Sequence, residues 1–206
     1  MKTNEERLKN LMEYLGQLSH VKTDEIPDID LYMDQVTTFM EGHLKDTRHC
    51  PEDKVLTKTM INNYAKNNLL PPPVKKKYSK EHMLMLIFIY YFKSLLSFHD
   101  IETLFKPITD RHFSSQTSDF SLEDIYNEVF TLETEAMELL KKDMKHKFAS
   151  AQRTFEHAPL EGEEKEYLKL FAFICQLSFD VYLKTQMIEM IADQLREETS
   201  SPQKKK

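Results

Sequence analysis

The sequence predicts a mainly α-helical protein, with a helical head in its first half and a second helical domain toward the C-terminus. Glycine is 3 of 206 residues, against a usual ~7 %, so phosphate loops, dinucleotide turns and hairpin-rich β folds have almost nothing to be built from. Apolar residues recur at steps of three and four along most of the chain, which is the period of a helix. Hydrophobic residues at 40 %, with 13 Phe and 9 Tyr, supply a core, and charged residues at 30 % supply a solvated surface.

Leu8, Leu11, Met12, Leu15 and Leu18 form one stripe and predict a first helix over 4–18. Polar residues and Pro27 then make a linker, so 1–29 reads as a helix with its connection. A second helix is predicted from an Asp30 cap to about Lys45, with Leu31, Val36, Phe39, Met40 and Leu44 on its apolar side. Thr57 is suited to cap a short third helix in which Met60, Ile61, Tyr64 and Ala65 face inward. Asn68, tolerant of left-handed backbone, and then Pro71, Pro72 and Pro73 end it. A short basic connection over 74–78 leads to Ser79 and a very apolar helix through Leu96. A further helix from Phe98 to Phe105 is expected to stop at Pro107, which closes a head domain over 30–108.

The Ser- and Thr-rich stretch 109–118 reads as a linker, and 119–198 as a second helical domain. Ser121 and Asp124 resemble a capping box, and Leu122, Ile125, Val129, Leu132, Ala136 and Leu139 step by three and four in a short heptad seam. A last apolar helical region runs from Glu163 to about Arg196, and 199–206 is expected to be a disordered tail.

The longest apolar run, Met83 to Phe92, is about half of what a membrane-spanning helix needs, so no membrane partner is expected. Cys50 and Cys175 lie far apart without a CxxC pattern, which points to a reducing, cytoplasmic setting rather than a disulfide framework or a zinc ribbon. With no HExxH, no HxH and no nucleophile elbow, neither an enzyme nor a cofactor is expected. The net charge of −6 hides one asymmetry: residues 54–80 hold seven lysines and no Asp or Glu. On the third helix Lys58, Thr59, Asn62, Asn63 and Lys66 face outward, offering cations to phosphates and bidentate amides to adenine edges. Lys75, Lys76 and Lys77 add sequence-independent attraction to a polyanion. The same residues are also compatible with a plain solvated face.

The segment Leu56 to Pro72, with Tyr64, Leu69-Leu70 and Pro72, followed by Lys77-Tyr78-Ser79, resembles the winged helix-turn-helix head of the MerR family. The chain as a whole is similar to a bacterial family of uncharacterised proteins, a domain of unknown function related to MerR. The resemblance implies an N-terminal MerR-like winged helix-turn-helix domain plus a C-terminal helical domain. It also implies double-stranded DNA as the partner, with Lys58, Thr59, Asn62, Asn63, Lys66, Lys75, Lys76, Lys77 and Tyr78 as contacts. By position it further implies a homodimer through the seam Leu122, Ile125, Val129, Leu132, Ala136 and Leu139, helped by the Phe-rich last helix. Where the family carries Arg-Tyr-Tyr-Glu, this chain carries Asn62-Asn63-Tyr64-Ala65. The function so implied is transcription regulation, with no small-molecule effector identified; the alternative is a helical protein-interaction module that has lost DNA binding.

Overall fold

The computed structural model describes residues 2–48, 50, 52–113 and 120–200. The chain is mainly helical, in the order α1 (Asn4–Gln17), β1 (Leu31–Tyr32), α2 (Met33–Leu44), α3 (Lys58–Lys66), β2 (Lys77–Tyr78), α4 (Lys80–Phe92), α5 (Phe98–His112), α6 (Leu122–Gln152) and α7 (Gly162–Ser200). It divides into two units: a head of His20–Val129 with Met187–Lys206, and a helical unit of Met1–Ser19 with Phe130–Gln186.

The head is organised around α4. His82 through Ile89 are all buried, eight residues in succession, as befits a helix apolar on every side. Val36, Met40 and Leu44 of α2, Ile61 and Tyr64 of α3, and Ile101 and Phe105 of α5 are buried as well. Phe88 meets Phe105 and, edge-on, Tyr126 of α6, with ring centroids 6.1 and 5.3 Å away. Tyr126 is fully buried, and its hydroxyl donates to the Val21 carbonyl at 2.6 Å. Arg196 of α7 donates to Asp100 at 2.6 Å, and the Ser97 hydroxyl, together with that bond, holds the Asp100 carboxyl below its ordinary range.

Several expectations are corrected here. Asp30 does not cap α2: Leu31 and Tyr32 are drawn into an antiparallel pair with Tyr78 and Lys77, so the helix starts later. The side chain of Gln35 then accepts the Tyr32 N–H at 2.9 Å. Residues 74–78 are not a mere connection but a small hairpin and strand. The α4 helix ends at Phe92, four residues short of Leu96. Pro107 does not stop α5, which continues to His112. Its missing N–H forfeits one helical bond, while Thr109 and Phe113 keep the last turn bonded to Phe105 and Thr109. Residues 109–112 of the expected linker are therefore helical, and 114–118 lie outside the described residues. Similarly α7 runs to Ser200, and 201–206 lie outside the described residues.

In the helical unit Leu15, Met144, Phe148, Ala151 and Phe173 form one core, flanked by half-buried Leu8, Leu11, Met12 and Leu177. Phe148 and Phe173 meet edge-to-face at 5.4 Å. The capping box predicted for Ser121 and Asp124 is present, with the Asp124 N–H bonded to the Ser121 hydroxyl at 3.1 Å and the Ser121 N–H to the Asp124 carboxylate at 2.8 Å. Of the predicted seam only Leu122 is buried: Leu122, Tyr126, Phe130, Met144, Phe148 and Ala151 are the buried positions of α6, whereas Val129, Leu132, Ala136 and Leu139 are exposed and Ile125 is half-buried. After Leu122 the aromatic Tyr126 and Phe130 take the next buried positions, and the rest of the aliphatic seam is rotated off them. No helix among the described residues is long and apolar enough to cross a membrane.

Candidate nucleic-acid interface

The α3 helix is defined by local chemistry at both ends. Thr57 accepts the Met60 N–H at 3.1 Å, the predicted cap. At the other end Asn68 has φ 59, in the left-handed region. Leu69 N–H reaches the Tyr64 carbonyl at 2.9 Å and Asn68 N–H the Ala65 carbonyl at 3.4 Å, the paired bonds of a Schellman motif. Buried Ile61 and Tyr64 fix the rotation of the helix, and burial raises the pKa of Tyr64 above its ordinary value. Lys58, Thr59, Asn62, Asn63 and Lys66 consequently share one exposed face. Lys58 is ion-paired with Asp34 of α2, and the Asn67 side chain donates to the Asn63 carbonyl at 2.8 Å.

The hairpin after the prolines is closed by Val74 and Lys77, whose N–H groups donate to each other's carbonyls at 3.1 and 2.9 Å. Lys75 and Lys76 fill the two central positions with φ 50 and 65. Two successive positive φ values make a type I′ turn, a geometry that favours Asn-Gly and costs a lysine on the order of 1 kcal/mol per residue. Both lysines are exposed at its tip. The Lys77 ammonium lies 5.2 Å from the centre of the exposed Tyr32 ring, within cation–π range. Since α2 contacts both α3 and β2, one helix supports the asparagine-bearing face and the lysine turn.

Tyr78 departs from expectation. It is 3 % exposed, its ring stands edge-on to His82 at 5.4 Å, and burial raises the pKa of its hydroxyl. The strand register directs Tyr78 inward and Lys77 outward, so Tyr78 serves the core and not a surface contact. Leu122 is likewise buried in the head, which removes it from any surface seam.

Sequence reasoning missed Tyr32 and His82. The Nδ1 atom of buried His82 accepts the Ser79 N–H at 3.0 Å, and the ring meets Phe113 edge-on at 4.8 Å. Its Nε2 is buried without a hydrogen-bond partner among the described residues. Burial pushes the imidazole below its ordinary pKa, against a smaller opposing pull from the Pro72 and Pro71 carbonyls. The available signal was Ser79-x-x-His82, a capping-box spacing with His in place of Glu or Gln. No group of three or more His, Cys, Asp or Glu side chains among the described residues is placed to hold a metal ion.

A family model described as a domain of unknown function, DUF1836, matches residues 21–129. The chain belongs to the DUF1836 family. Comparison with curated proteins and with solved structures gave no match. The DUF1836 segment ends at residue 129, where the long segment of the head unit also ends. It contains α3, the lysine turn and Tyr32 in full.

Proposed function

We propose that this protein is a DNA-binding transcription regulator with a MerR-like winged helix-turn-helix head, acting in the cytoplasm on double-stranded DNA. The observation that carries the reading is the outward face of α3: two asparagine amides and two lysines share it, on a helix held by buried Ile61 and Tyr64. In the major groove Asn62 and Asn63 have the chemistry to read adenine edges, while Lys66 and Lys58 approach phosphates. The Lys75–Lys77 turn acts as a clamp on the backbone, and Tyr32 supports it by holding the Lys77 ammonium over its ring. Two such heads on a pseudo-palindromic site would gain affinity and specificity together.

A protein-interaction module is the second reading. The ion pair of Lys58 with Asp34 favours it, because a neutralised lysine adds little to binding a polyanion.

Fluorescence anisotropy with a labelled random duplex, followed by selection of preferred sequences from a random library, separates the two. Binding is expected to weaken steeply with salt, and replacing Lys75, Lys76 and Lys77 together with Ala should lower the slope of log K against log[salt] by about 0.9 for each phosphate no longer neutralised. Asn62→Ala or Asn63→Ala should cost about 10-fold or more on the selected site and little on random duplex. Absence of any salt-sensitive duplex binding would overturn the proposal in favour of the interaction module.

A further inference from the structure

Beside the end of α4 the head carries a cavity of about 420 Å³, within the range that holds small ligands. Arg48, Lys54, Val55, Tyr90, Tyr91 and Lys93 line it. Its walls are held in place before anything binds. The Thr47 hydroxyl gives its proton to the Leu44 carbonyl at 2.7 Å, so the Tyr90 hydroxyl is the donor in the bond between Thr47 and Tyr90, and that bond fixes the Tyr90 ring. The Lys93 ammonium lies 4.8 Å from the centre of this ring and donates to the Val55 carbonyl at 2.9 Å. Arg48 donates to the Lys45 carbonyl at 2.9 Å and the Asp53 carbonyl at 2.6 Å, and it pairs with the Glu41 carboxylate at 2.7 Å.

We propose that this cavity is a binding site for a small organic anion, whose carboxylate or phosphate head sits against Lys93 and Lys54 and whose apolar body lies along Tyr91. The balance of charge argues for an anion. Arg48 is already set against Glu41, but Lys54 and Lys93 outnumber Asp53, the carboxylate that also lines the cavity. Half-buried Lys93 has a carbonyl and a ring as partners and forms no ion pair among the described residues. Burial pushes its pKa below the ordinary value, and the smaller pull of the Asp53 charge recovers only part of that. A cation taken partly out of water without a counter-ion gains most when an anion enters beside it.

The site bears on the loop that leads into α3. Val55 is buried, its N–H donates to the Glu41 carboxylate at 3.3 Å and its carbonyl is held by Lys93, while Thr57, the cap of α3, follows two residues later. An anion that draws the ammonium off the Val55 carbonyl therefore loosens one of the bonds that place this loop. Binding of the anion does not depend on DNA recognition: a chain that takes the anion and binds no duplex leaves the assignment intact.

The test is a titration of the full-length, isotope-labelled chain at fixed ionic strength with benzoate, phenyl phosphate and inorganic phosphate, and with neutral benzamide as the control, followed by amide chemical shifts. Benzoate or phenyl phosphate should saturate at about 1 mM or tighter and move the signals of Val55, Tyr91 and Ser94, and the tighter of the two identifies the head group. Inorganic phosphate, which lacks the apolar body, should bind about 10-fold more weakly than phenyl phosphate, or worse. Lys93→Gln keeps a donor for the Val55 carbonyl and removes the charge, so it should weaken binding by about 10-fold or more. Lys54→Gln, at an exposed position that does not put folding at risk, should weaken it by about 3-fold and decides the matter if Lys93→Gln does not fold. Benzamide binding as tightly as benzoate, inorganic phosphate matching phenyl phosphate, affinity unchanged by the lysine substitutions, or no saturable shift up to about 20 mM of any of the anions would overturn the proposal.

Discussion

The two units spend their apolar residues in opposite ways. In the head, α4 buries eight side chains in succession and the surrounding helices close over it. In the helical unit, α7 buries Phe173 while Tyr167, Phe171, Ile174, Phe179, Val181 and Tyr182 stay exposed. Hydrophobicity along a helix therefore does not by itself say where the core is. A fully buried apolar helix is a finished scaffold, whereas a long half-exposed one is a surface still to be covered.

The sharpest way to break this contrast is to truncate one side chain in each helix. Leu86→Ala in α4 should cost about 2–5 kcal/mol in urea unfolding, the usual range for a leucine in a sealed core. Ile174→Ala on the outer face of α7 should change unfolding of the monomer by no more than about 0.5 kcal/mol. Equal losses would mean that α7 is as closed as α4.

Next in size is Tyr126→Phe, which strands the buried Val21 carbonyl and should cost about 1–3 kcal/mol, read as a drop in the urea midpoint. The pH dependence of the head is smaller and has a definite sign. Because His82 is held below its ordinary pKa of 6.5, the unfolded chain binds the extra proton first. Stability is complete above that value and falls as the pH drops below it, by at most about 1.4 kcal/mol per pH unit for one proton. His82→Gln keeps an acceptor for the Ser79 N–H and should flatten that part of the profile; an unchanged profile would assign the acid sensitivity to another group. Smallest is Thr57→Ala, which removes the cap of α3 and should cost about 1 kcal/mol by thermal unfolding.

What could be read from the sequence tracks the range of the physics involved. Thr57, Asn68 and the three prolines act within a few residues of themselves, so both ends of α3 and its outward residues were legible. The pairing of Leu31–Tyr32 with Tyr78–Lys77 was not, because two-residue strands have no period and their partners are far apart in the chain. That pairing displaced the Asp30 cap and turned Tyr78 inward. Pro107 misled because a proline's cost inside a helix is real but can be outweighed by the packing of Ile101 and Phe105. On α6 a count of aliphatic residues found the exposed stripe, since it left out Tyr126, the aromatic that fills the head core.

The bond from Tyr126 to Val21 spans 105 positions of chain, and the segment matched by the family model begins at 21 and ends at 129. With the Thr23 hydroxyl, which donates to the Asn127 amide oxygen at 3.1 Å, it fastens the start of that segment to its finish. A segment whose ends meet behaves as a cassette: it can be carried between, or inserted into, unrelated host chains without its interior being pulled out of shape. The closure draws in one stretch from beyond that segment, since Arg196 near the end of α7 is bonded to Asp100 within it.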